Sequence, residues 1–447
     1  MHKIRQKLIL ILTCMGIFQF ACKEEVPKEM LLASDVERVL MKKILEPWYP
    51  RVIDSAYGGF LTDFDYAWKK TGEQNKMIVT QARHVWTTSK AYNRTGDEYY
   101  KEMAAHGAKY LQEVMWDAEY GGFFNLVNQQ GEMLDHPQEK RIIKEAYGNA
   151  FGIYGLAAFV KISGNEDALA YAKHGFNWLE KYSHDSVMGG YFQFMEQDGY
   201  VLEKGLGRTP PKDQNSSIHL LEAFSELYGV WPDDLLKSRI KELIGIIRDT
   251  ITHEKGYMRL HFWRDWTPLS YRDSTAESRE NNHYLDHVSF GHDIETAYLL
   301  LEAEEVIREE SVRTHEVAKQ MVDHALRFGF DDSVGGIYDG GYYLKEEGTI
   351  EIVRDTKNWW AQVETLNTLQ LMEGLYPDDP MAYGEKFLKQ WDYINTYLID
   401  HEYGGFYTGG LDKEPERKNG NKSGIWKGSY HTVRSLLNVV ERMETEK

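Results

Sequence analysis

Cysteine is almost absent. The 447-residue chain has two, Cys14 and Cys22, both upstream of the repeated part of the sequence. A domain without a cysteine pair has no disulfide to close its loops, so its stability must come from burial. Long hydrophobic runs are equally scarce. The one near the start, residues 8–20, is too short to span a bilayer and stay, and it follows basic residues at Lys3, Arg5 and Lys7. That order reads as a targeting segment over residues 1–22, with a tether over 23–33 and one domain over 34–447. Cys22, after Ala21 and before Lys23-Glu24-Glu25, is the expected point of lipid attachment. Such a chain is exported, to the periplasm or to a lipid anchor on the outer membrane. A plain secretory signal is the alternative.

Positive charge is in deficit: 52 Lys and Arg stand against 70 Asp and Glu, a net charge of −18 without any acidic block. That balance excludes nucleic acid as a partner. No HExxH occurs, and Gly420-Asn421-Lys422-Ser423 lacks the spacing of a phosphate-binding loop. His283 and His287 are four apart and would clasp a metal on a helix, but they read better as loop histidines near a cleft. Neither a metal nor a cofactor is expected. Asp63, Asp65, Asp331 and Asp332 read as solvated turn residues, with the paired carboxylates of a glycosidase as the competing reading.

What the chain does have is aromatics and a repeat. Its 12 Trp and 29 Tyr exceed the needs of a core, and sugar-handling clefts use such rings against the apolar face of a pyranose. The doublet Gly-Gly before a large apolar residue recurs at Gly58-Gly59-Phe60, Gly121-Gly122-Phe123, Gly189-Gly190-Tyr191, Gly335-Gly336-Ile337 and Gly404-Gly405-Phe406. Lys255-Gly256-Tyr257 is a degenerate member in the one double-length interval. Apolar-periodic stretches flank each doublet, upstream (34–47, 97–115, 166–182, 233–251, 311–328, 381–398) and downstream (80–92, 145–160, 213–228, 288–304, 357–373, 428–442). The unit is helix, hairpin, helix, with glycines at positive φ in the hairpin. The upstream helices carry a charged side, as at Lys237, Arg239, Lys241 and Glu242. The downstream ones are rich in small residues, as at Gly148-Asn149-Ala150-Phe151-Gly152. Six inner helices wrapped by six outer ones give an all-α (α/α)6 barrel. An open solenoid would need polar capping repeats, and neither end resembles one.

In such a barrel the first turns of the inner helices share one cavity. The residues in that phase are Arg83, Asn215, His219, His292, Glu295, Trp360, Glu364, Trp426 and His431. His219 with Glu222, His292 with Glu295 and His431 with Arg434 are each three apart, so each pair shares a helix face. A carboxylate beside a histidine fixes its tautomer and raises its basicity, as a general base near neutral pH requires. His84, His106, His174, His253 and His324 lack this register and read as ordinary core or surface residues.

Gln81-Ala82-Arg83, residues 215–222, Gly291-His292-Asp293-Ile294-Glu295, Trp359-Trp360-Ala361-Gln362-Val363-Glu364 and Trp426 with Tyr430-His431 together resemble the N-acylglucosamine 2-epimerase superfamily. Within it they are most similar to the cellobiose and mannobiose 2-epimerases. The resemblance implies the (α/α)6 barrel and a cofactor-independent exchange of glucose and mannose at the reducing end of a β-1,4-linked disaccharide. It implies His292 and His431 as the acid/base pair. Arg83, His219 and Asn215 would bind the reacting end, Glu295 would hold a hydroxyl or a histidine, Trp360 and Trp426 would stack on sugar, and Glu364 would hydrogen-bond nearby. Tyr298 stands where the cellobiose enzymes usually carry Trp, a departure that bears on the choice of sugar. The partner expected is an oligosaccharide, and the protein is expected to be a monomer. The competing functions are N-acylglucosamine epimerisation, aldose–ketose isomerisation, (α/α)6 glycoside hydrolysis and glycan binding without chemistry.

Overall fold

The computed structural model describes residues 28–344 and 349–445; the targeting segment and both cysteines lie outside them. Six inner helices carry the core: α3 (Ile78–Thr95), α5 (Ala146–Ser163), α7 (Gln214–Tyr228), α11 (Phe290–Ile307), α13 (Trp359–Leu375) and α15 (Tyr430–Thr445). They alternate with α4 (Glu98–Tyr110), α6 (Glu166–Tyr182), α8 (Asp234–Ile246), α12 (Val312–Gly329) and α14 (Tyr383–Tyr397), each packed on the inner helix before it. The sixth outer position is filled from the N-terminus, by α1 (Lys28–Val39), a π turn (Leu40–Leu45) and α2 (Glu46–Trp48), with α1 against α15. The inner helices touch in the order α3, α5, α7, α11, α13, α15, and α15 returns to α3. The ring is closed, so the array is a barrel and not a solenoid.

Local chemistry explains the boundaries. Outer helices begin at Asp97, Asn165 and Asp233, whose side chains accept free N–H groups of the first turn. The inner helices are buried almost all round, which demands small residues where backbones approach. A Cβ on Gly155 of α5 would fall 2.7 Å from the Ala82 carbonyl oxygen of α3. In the doublets, both glycines have positive φ, +81° and +64° at Gly58 and Gly59, and an antiparallel bridge such as Ile53 to Phe60 closes the turn around them.

The short strands depart from the expected hairpins. β1 (Lys76–Met77) pairs with β2 (Leu126–Val127), β3 (Ile143–Glu145) with β4 (Phe194–Glu196), and β5 (Lys212–Asp213) with β6 (His261–Phe262), always joining one repeat to the next. Only β7 (Gly340–Tyr343) and β8 (Ile350–Arg354) pair within a repeat. Two further helices, α9 (Ala276–Asn281) and α10 (His283–Asp286), fold the long loop before α11.

The aspartate before each doublet is not a solvated turn residue. Asp54, Asp117, Asp185, Asp331 and Asp400 are buried, and each pairs with a fully buried lysine: Lys76 at 2.9 Å, Lys144 at 2.8 Å, Lys212 at 3.1 Å, Lys357 at 2.9 Å, and Lys422. Four of these lysines also donate to, or lie against, the first glycine of the doublet, as Lys76 does to the Gly58 carbonyl at 2.6 Å. The reading of Asp331 as exposed is therefore corrected: its carboxyl, raised by burial but lowered more by Ser333 and Lys357, ends below the usual carboxylate range.

Candidate active site

At the N-terminal ends of the inner helices, three histidines are each held by Nδ1. His292, in the first turn of α11, meets the Ser289 hydroxyl at 2.7 Å. His219 of α7 meets Glu222 at 2.8 Å. His431 of α15 meets Glu364 of α13 at 2.7 Å. Where the partner is an ionised carboxylate, which can only accept, the proton sits on Nδ1 and the Nε2 lone pair is left for a ligand. The His292 and His431 rings both pack on the Trp360 indole, with centroids 4.6 and 5.6 Å from it. The two imidazoles therefore cannot be farther apart than those two distances together.

Beneath them lies a charge network centred on Arg434, whose guanidinium binds Glu222, Glu295 and, at 2.6 Å, Glu364. Tyr430 adds its hydroxyl to Arg434 at 2.7 Å and to Glu222. Glu295 Oε1 is also 3.7 Å from His431 Nδ1. Burial pushes the Glu222 carboxyl up, but Arg434 and His219 outweigh it and hold it below the usual range. Burial prevails at Glu364 and raises it against the pull of Arg434. Burial lowers His292 to about 4, with Glu295 opposing, and drives His431 well below 6.5 with help from Arg83. Burial thus favours the uncharged form of each imidazole.

On the facing wall, the Arg83 guanidinium lies between the Phe151 and Tyr430 rings at 4.3 and 4.9 Å and donates to the Tyr147 hydroxyl at 3.2 Å. Phe151 and Tyr147 also flank His219, at 5.0 and 5.3 Å. Asn215 is half-buried beside Tyr147. Arg83, Asn215, His219, His292, Glu295, Trp360, Glu364 and His431 thus occupy one end of the barrel.

The sequence matches the N-acylglucosamine 2-epimerase (GlcNAc 2-epimerase) family over residues 58–435. The chain belongs to this family. It is 28% identical over 419 residues to a cellobiose 2-epimerase of Bacteroides fragilis, covering 92% of this chain and 99% of that one. A solved cellobiose 2-epimerase of Spirochaeta thermophila, 27% identical, superposes with a TM-score of 0.79 over 94% of this chain and 98% of its own. That of Bacillus thermoamylovorans, 24% identical, shares the fold with a TM-score of 0.80 over 92% of this chain and 100% of its own. The protein is an enzyme of this sugar 2-epimerase family, homologous to cellobiose 2-epimerases along most of its length.

Two residues singled out from the sequence line cavities of their own. Tyr298 is buried deeper on α11, where its hydroxyl accepts from Asn438 at 2.9 Å and its ring lines a cavity of about 480 Å3 at the opposite end of the barrel. Trp426 is 55% exposed and edges a cavity of about 430 Å3 with Trp359 and Tyr284. The spacing argument also holds only once: His219 and Glu222 pair within their helix, whereas His431 takes Glu364 from α13 and Glu295 turns to Arg434. Glu295, Glu364 and His431 have ligand atoms within 4.8 Å of one another, but Arg434 already places its cation between the two carboxylates. His283 and His287 lie on and just after α10, their rings stacked at 4.1 Å. Sequence reasoning missed Tyr147, Phe151 and Ser289; the last stands three residues before His292, a spacing that was there to be read.

Proposed function

We propose that the protein is a cofactor-independent 2-epimerase that interconverts glucose and mannose at the reducing end of a β-1,4-linked disaccharide, with His292 and His431 as its acid/base pair. The observation that carries this reading is the pair of imidazoles against one indole, each anchored through Nδ1. Inversion at C2 of an opened aldose needs a proton taken from one face and another returned to the opposite face. The pair works with one proton between its two rings: one histidine starts as imidazole and takes the C2 proton, the other starts as imidazolium and returns one to the opposite face, each contributing about 10²–10⁴ in rate. The intermediate is a cis-enediolate, and its charge would fall near Arg83. That negative charge also raises the basicity of the imidazole that must hold the returning proton. Trp360 and Trp426 offer ring faces to the sugar, and Asn215 and His219 offer polar groups to its hydroxyls.

Glycoside hydrolysis needs one carboxylic acid free to protonate the leaving oxygen. Glu222, Glu295 and Glu364 are all engaged by Arg434, which favours the epimerase reading. Export through residues 1–22 is part of the proposal. Incubation with cellobiose and with mannobiose tests it: the expected product is the C2 epimer of one or both, with no free monosaccharide. Release of monosaccharides, or a ketose as sole product, would contradict it.

A further inference from the structure

The fourth repeat breaks the rule of buried lysine–aspartate pairs. Its turn is one residue shorter, with Thr252 bridging Met258 where Ile53 bridges Phe60. His253 takes the aspartate's place, since its N–H donates to the Tyr257 carbonyl at 2.7 Å as that of Asp54 donates to Gly59 at 3.0 Å. Val288 takes the lysine's place: it bridges Gly341 as Lys76 pairs with Val127, Lys144 with Met195 and Lys212 with Phe262. Both charged partners are gone. A cavity of about 270 Å3 stands there instead, lined by His253, Tyr257, Arg259, Asp286, Val288 and Tyr342 among others.

Several of the unused polar groups of that wall are donors. Tyr342 is buried and its hydroxyl has no hydrogen-bond partner. Arg259 gives one N–H to the Thr250 carbonyl at 3.2 Å and forms no ion pair with a carboxylate among the described residues. Arg272 lines the cavity too; its guanidinium meets its neighbour Asp273 at 3.4 Å and also favours the charged form of Asp286. The acid in the wall, Asp286, already accepts from the Ser270 hydroxyl at 3.1 Å and from the Tyr271 N–H. A buried donor without an acceptor costs free energy that an incoming acceptor recovers, and a guanidinium is the side chain best shaped for a planar or tetrahedral oxyanion.

We infer that the fourth-repeat cavity is a small-oxyanion site, taking a carboxylate or a phosphate group where the other repeats seat an ammonium–carboxylate pair. Arg259 and the Tyr342 hydroxyl are its principal donors. His287 and Val288 form part of the wall and lead directly to Ser289, the partner of His292, so an occupant braces the segment that carries one of the site histidines.

Titration calorimetry and thermal unfolding with inorganic phosphate, and separately with malonate, test this at constant ionic strength against chloride. Saturable binding of either anion is expected, and the stronger of the two identifies the source. Arg259→Gln and Tyr342→Phe should each weaken it about tenfold or more while the anion-free protein stays folded. The double change His253→Asp with Val288→Lys, which rebuilds the ion pair, should abolish it and raise the melting temperature. No saturable binding of either anion, or binding unchanged in both single variants, would overturn the inference. So would occupation of the cavity by neutral glucose with no competition from the anions.

Discussion

At the scale of single residues, the site depends on holding the base imidazole neutral in a buried, charged setting. Burial lowers His292 to about 4, so it is a free base throughout the neutral range. A base works only unprotonated, so activity should fall as pH descends through that value. The acid limb of kcat/KM should therefore lie near 4, well under the ordinary histidine value of about 6.5. A limb at 6.5 in a pH–rate profile would show that the essential base is not His292. Stability has the same sign at this group. The unfolded imidazole takes its proton at about 6.5 and the folded one not until about 4, so the contribution of His292 is full above 6.5 and lost as pH falls to about 4. Residue register marks His219, His292 and His431, because each repeats one position of one unit. It did not reveal Arg434 as the hub of three carboxylates. That role depends on which side chains cross from α7, α11 and α13, and a one-dimensional spacing carries no such information.

At the scale of elements, the glycine doublets set the turn from outer to inner helix, and two glycines of nearly equal φ separate strain from crowding. Gly59, at +64°, would place a Cβ 2.5 Å from Gln81 Oε1 and 2.8 Å from the Tyr110 ring; Gly96, at +68°, has nothing within 4 Å. Gly96→Ala should cost about 1 kcal/mol from the left-handed backbone alone, and Gly59→Ala about 3 kcal/mol or more. Denaturant unfolding of both variants checks this, and equal losses would mean the doublet is only a backbone device. The periodic stretches marked the helices well, since apolar spacing is a local property. The buried lysines stayed hidden because their distance from the aspartate varies with loop length, from Lys76 with Asp54 to Lys144 with Asp117. Strand pairing between repeats stayed hidden for a related reason: β1 is two residues long and meets its partner across a whole helical hairpin.

At the scale of the molecule, closure is what distinguishes this array from a solenoid. The last helix, α15, touches both α13 and α3, carries α1 on its outer side, and supplies Tyr430, His431 and Arg434. Truncation after residue 429 should therefore abolish cooperative unfolding, whereas a solenoid shortened by one helix keeps it. A sharp melting transition in the truncated protein would contradict the closed ring as the source of stability. His292 and His431 come from the helices on either side of α13, whose Trp360 indole meets both. The most direct measurement is uptake of solvent deuterium at C2, followed by proton NMR on cellobiose in heavy water, for the wild type and for His292→Ala and His431→Ala. Exchange at C2 in the wild type, with epimer formation reduced by about 10²–10⁴ or more in each variant, is the predicted result. Wild-type rates of exchange and epimer formation in both variants would contradict it.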